Sequence, residues 1–107
     1  MDRYVVVDLY GIKAEDRISF WRNLFEDATK SEDIELLNDD FSKGGPNDGT
    51  SGYIALGDGG ITLSHDPTEK HVSIMIHTWG KGNPDRIMSF VYDVLEPKDI
   101  RNNIIKD

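Results

Sequence analysis

The stretch SGYIALGDGGITLSHDPTEKHVSIMIHTW, residues 51–79, decides the fold. It predicts three strands in quick succession: Ser51–Gly57, Gly60–His65 and His71–Trp79. Asp58-Gly59 between the first two is a two-residue hairpin signal of the kind that tolerates positive φ. Asp66-Pro67-Thr68 turns the chain before the third. That third strand alternates cleanly, with Val72, Ile74, Ile76 and Thr78 on one face and His71, Ser73, Met75, His77 and Trp79 on the other.

Upstream, Tyr4–Tyr10 (YVVVDLY) is β-branched and aromatic and stops at Gly11, which reads as a buried strand. From Ala14 to Lys30 the apolar residues Ile18, Trp21, Leu24, Phe25 and Ala28 recur at helical spacing and leave Arg17, Arg22, Glu26 and Asp27 on the wet side. Ile34–Phe41 reads as a second strand, although Asp39-Asp40 is an unusual pair within one. Ser42–Thr50 (SKGGPNDGT) has the composition of a loop. Downstream, Asn83-Pro84-Asp85 supplies an N-cap, a proline at the first helical position and an acid in the first turn. The helix that follows has Ile87, Phe90, Val91, Val94 and Leu95 as its apolar face and ends at Glu96-Pro97. Ile100–Ile105 then fits a short edge strand.

The order β-α-β-β-β-β-α-(β) predicts an α+β fold, a two-layer sandwich of a mainly antiparallel sheet with two helices packed on one face. The other sheet face carries His71, Met75 and Trp79, so a sheet-to-sheet dimer is expected. A chain of 107 residues allows one domain, spanning residues 1–107, with one modest core. Twenty Asp and Glu against 12 Lys and Arg leave a formal charge of -8. That balance disfavours nucleic acid and anionic membrane surfaces as partners, since both need a local excess of cations. The absence of cysteine excludes disulfides, thiolate metal sites and a cysteine nucleophile. No apolar run reaches the roughly 20 residues of a membrane span, and the opening valines are too few for a signal sequence, so the cytoplasm is the expected location.

Taken together, these segments resemble the small prokaryotic S-adenosylmethionine decarboxylases, a family that makes its own pyruvoyl cofactor. Tyr4-Val-Val-Val-Asp-Leu-Tyr-Gly11 is similar to the family's first strand, with its acidic-aromatic-Tyr-Gly turn. Phe41-Ser-Lys with Pro46 resembles its Phe-His-Lys/Arg-Phe…Pro loop. Ser51-Gly52-Tyr-Ile-Ala-Leu-Gly-Asp58 resembles its Ser-Gly-aliphatic strand ending in Glu, Thr78-Trp79-Gly80 its Thr-Cys-Gly, and Asn83-Pro84 its Asp-Pro helix start. From Ser51 to Gly80 the register runs without a gap.

Carried over residue by residue, the resemblance implies a degenerate homologue. The family's Glu-Ser-His cleavage triplet falls on Asp58-Gly59-Gly60. Its serine must attack the preceding carbonyl and eliminate to leave the ketone that acts as electron sink, and Gly59 has neither a hydroxyl nor a Cβ. The processing histidine falls on Ser64, whose hydroxyl is a poor general acid or base near neutrality. The catalytic cysteine falls on Trp79, whose indole does not titrate usefully. No catalytic residue and no pyruvoyl group are therefore expected. Phe41, Ser51 and Asp58 remain as candidates for holding a ligand. A competing register aligns Ile76-His77-Thr78-Trp79 with the family's Ile-His-Thr-Trp and brings Ser73 within one residue of the cleavage position, but it strands the Ser51-Gly52 match.

No metal is expected, because His65, Asp66, Glu69, His71 and His77 lack ligand spacing. Three functions follow from the resemblance. The first is a pseudoenzyme acting through subunit or ligand binding in S-adenosylmethionine, spermidine and other polyamine metabolism, as a homodimer or as a heterodimer with an active decarboxylase subunit. The second is a small-ligand sensor. The third is an active pyruvoyl-dependent decarboxylase of S-adenosylmethionine or a related amino acid, processed at an unusual serine such as Ser73.

Overall fold

In the computed structural model, which describes residues 3–80 and 82–106, eight regular elements follow the expected order. They are β1 (Arg3–Tyr10), α1 (Ile18–Lys30), β2 (Leu36–Lys43), β3 (Thr50–Leu56), β4 (Gly59–Asp66), β5 (His71–Thr78), α2 (Pro84–Leu95) and β6 (Asp99–Lys106), with a short 3-10 turn at Pro46–Asp48. The strands form one sheet in the order β2-β3-β4-β5-β1-β6. All neighbours are antiparallel, which makes the fold the two-layer α+β sandwich read from the sequence.

Alternation builds the core. Val5, Val7 and Leu9 of β1, Ile54 and Leu56 of β3, Ile61 and Leu63 of β4, and Val72, Ile74 and Ile76 of β5 all turn to the helix layer and are buried. Trp21, Leu24, Phe25 and Ala28 of α1 meet them, as do Ile87, Met88, Val91 and Leu95 of α2. Each of the Val, Leu, Ile, Met and Phe side chains among them contributes about 1.5–3 kcal/mol on leaving water. Among the described residues no helix is long and apolar enough to cross a membrane.

Several boundaries move from where the sequence put them. The first helix begins at Ile18 rather than Ala14. Residues ahead of it are held elsewhere, with the Ile12 amide donating to the Lys70 carbonyl (3.2 Å) and the Lys13 amide to that of Leu95 (2.7 Å), and Arg17 is extended at φ -154°. In β2 pairing continues to Lys43, so the loop is shorter than Ser42–Thr50. Its acidic pair is tolerated because Asp39 turns under the helix layer to a bidentate bond with Arg22, at 2.9 and 3.0 Å, while Asp40 is exposed. The hairpin turn is Gly57-Asp58, since Gly59 already pairs with Leu56, and neither turn residue takes a positive φ. On α2, Val94 is 40% exposed and Met88 takes its place in the buried face. The start of α2 is as read: the Asn83 side chain accepts from the Asp85 amide at 3.0 Å.

Candidate functional site

The β3–β4 hairpin and the turn leading into α2 are strapped together by Asp58. Its backbone carbonyl accepts from the Trp79 amide (2.8 Å), its Oδ2 accepts from the Gly82 amide (3.0 Å), and the Thr78 hydroxyl donates to the Gly82 carbonyl (2.9 Å). Beside this strap Gly59 pairs with Thr78 in very close quarters. A Cβ on residue 59 would stand 1.8 Å from the His77 carbonyl oxygen and 2.9 Å from the Thr78 Cα, and one on Gly80 would stand 2.7 Å from Asp58 Oδ2. At residue 59 the contacts are with backbone atoms of the sheet, so a side chain there requires movement of the backbone, whereas at Gly80 it is the Asp58 side chain that would have to give way.

The sheet face away from the helices opens next to this hairpin. Trp79, 53% exposed, sets its edge against His77 (5.4 Å), which stacks on Tyr4 (4.7 Å). Trp79 and His77 border a hollow of about 350 Å³ lined also by Tyr53, Gly60, Thr62 and Met75. Thr62 and Met75 pass into a second hollow, of about 260 Å³, where Val6, Asp8, Ser64 and Ser73 form the lining. Here Asp8 Oδ1 accepts from the Ser73 hydroxyl and lies 2.9 Å from His71 Nε2, and His71 stacks on Tyr10 at 4.5 Å. The Arg101 guanidinium lies 4.5 Å above the other ring of that pair, Tyr10. The Ser73 hydroxyl also lies 3.4 Å from His71 Nε2, so serine, histidine and carboxylate form one polar cluster in which both partners address the same Asp8 oxygen.

The predicted site residues fall into separate groups. Gly59, Asp58 and Trp79 are neighbours at the hairpin. Ser64 is five residues along β4, roughly 16 Å at strand rise, on the outer face opposite Ser51, whose hydroxyl is 3.3 Å from its own. Phe41 is on the other side of the sheet, packed against the core with the Arg22 guanidinium 5.7 Å above its ring. Phe41, Ser51 and Asp58 therefore do not converge on one ligand. Asp8 is the polar centre that sequence reading missed, and its place on the outer face follows from alternation along β1, where it sits between the inward Val7 and Leu9.

The family model for S-adenosylmethionine decarboxylase matches residues 3–106 of the chain. No curated protein matches it significantly.

Proposed function

Because the chain belongs to the S-adenosylmethionine decarboxylase family, we propose that it is a non-catalytic member that acts by binding. The observation that carries this reading is the environment of Gly59. In the gap-free register described above, residue 59 stands where the family's cleavage serine would supply both the attacking oxygen and the carbon skeleton of the pyruvoyl group. Glycine supplies neither, and the His77 carbonyl occupies the space a side chain would need. The residues present do not fit that cofactor. Ser73 is no substitute, because it sits inside β5, paired with Asp8 of β1 on one side and Ser64 of β4 on the other. Breaking the chain there would sever an interior strand of the sheet. Intact-mass spectrometry with borohydride trapping tests this reading. A single uncut chain that traps no amine substrate is expected, and a cut chain with a keto terminus overturns it.

The binding role is assigned to the outer sheet face. Tyr53, Met75 and Trp79 are 47%, 39% and 53% exposed there, and grouped exposed apolar side chains are the kind of surface that subunit contacts cover. A second copy seated face to face, or an active decarboxylase subunit in its place, would cover this surface, and the two hollows would then be enclosed to hold a small ligand. The setting proposed is the cytoplasm, in S-adenosylmethionine and polyamine metabolism. Light scattering of the purified chain separates a homodimer from a monomer that awaits a different subunit.

A further inference from the structure

On the helix side of the sheet, away from both hollows, three polar atoms are buried with no hydrogen-bond partner among the described residues: Trp21 Nε1, Thr50 Oγ1 and His65 Nδ1. Trp21 and Thr50 are wholly buried and His65 is 2% exposed. They are close together. The Trp21 and His65 rings are 5.0 Å apart, and Thr50 directly precedes Ser51 while His65 directly follows Ser64, its antiparallel partner. Leaving such groups bare is costly, and a water or an ion is a common partner for a buried polar group that the protein itself does not satisfy.

His65 also lines a hollow of about 360 Å³ together with Lys13, Asp16, Lys70, Ile12 and Pro67. The charges around it are unevenly matched. The Asp16 carboxylate is taken by Lys43, Lys13 pairs with Glu96 at 2.9 Å, and Asp66 accepts from Asn47 and from the Thr68 and Glu69 amides. Lys70 has no partner for its ammonium among the described residues. A chain of net charge -8 thus directs one uncompensated cation and one unpartnered imidazole into the same space, and among the described residues that line it the only carboxylate, Asp16, is already paired with Lys43.

We propose that this hollow binds a small oxyanion between the Lys70 ammonium and the His65 imidazole, and that His65 takes up a proton as the anion enters. The field at His65 comes from Asp16 ahead of α1, Lys43 of β2, Asp66 of β4, His71 of β5, and the two lysines of the rim. Burial disfavours its charged form, and a bound anion reverses that balance, so binding and protonation strengthen one another.

Calorimetry of the full chain with inorganic phosphate, and separately with acetate, tests the proposal between pH 8 and about pH 6, where histidine titrates. Acetate keeps its charge across that range and so separates protonation of the protein from that of the probe. Saturable binding of at least one probe is expected, tightening on the order of tenfold toward the lower pH, with a heat that varies with buffer ionisation. Lys70→Gln, a change at an exposed position that leaves the core intact, should weaken binding. His65→Gln should remove the proton uptake. The proposal is overturned by absence of saturable heat with either probe, by binding that ignores pH, or by binding that both variants leave unchanged.

Discussion

The His77 carbonyl oxygen and Gly59 meet so closely that a Cβ on residue 59 would intrude to 1.8 Å. Two requirements for self-cleavage at this point are thus missing together, the hydroxyl and the room for it. Restoring the hydroxyl alone should not restore the chemistry. Gly59→Ser is expected to lose about 1–3 kcal/mol of stability, as overpacked sites do, and to keep an unbroken chain. Urea unfolding beside intact-mass measurement checks both, and self-cleavage in this variant would refute the steric argument.

His65 makes stability depend on pH. Its folded pKa is lowered, first by desolvation, so the unfolded chain takes the proton more readily. The contribution is full above the unfolded value near 6.5 and declines as pH falls from there toward the folded value. The slope is at most about 1.4 kcal/mol per pH unit. Unfolding free energies of the wild type and His65→Gln should converge as pH falls through this window. Parallel curves would show that His65 is not the group responsible.

Asn83 caps α2 through one bond to the Asp85 amide. Asn83→Ala should cost about 0.5–2 kcal/mol and Asn83→Gly only a few tenths. Thermal unfolding followed by circular dichroism separates the two, and equal losses would mean that the side-chain bond contributes nothing.

Trp79 is exposed on the sheet face proposed as the subunit contact. Trp79→Glu places a carboxylate where two copies would face each other and should shift a dimer to monomer in light scattering without loss of secondary structure. Asn23→Glu, on the helix side, should leave the assembly as it was. An unchanged dimer in Trp79→Glu would move the interface elsewhere.

Alternation made the sheet legible. The period of two along β5 assigned inward and outward residues correctly from Val72 to Thr78, and the Asn-Pro-Asp start of α2 was read to the residue. The errors fall where tertiary contacts override local preference. Ala14 and its neighbours fit a helical pattern, but the adjacent amides are drawn off to Lys70 and Leu95. The hairpin signal of Asp58-Gly59 was displaced by one residue because Gly59 is needed in the ladder, where the approach of β5 permits no side chain. The site was less legible than the fold. Asp8 looked like one acid in a valine-rich strand, and only the pairing of β1 with β5 puts it beside His71 and Ser73. Phe41 and Asp58 come from two motifs that follow one another in sequence, yet the fold keeps them apart, with Phe41 packed against the core and Asp58 in the β3–β4 turn.

The strand order has a topological consequence for the hairpin at Gly57-Asp58. Opening the chain there would leave β1, α1, β2 and β3 on one fragment and β4, β5, α2 and β6 on the other. Because β1 lies between β5 and β6, the first fragment would stay threaded through the second, clasped along both of its edges. The scaffold is built to survive a nick in its backbone at the very turn where, on the reading proposed, this polypeptide cannot make one.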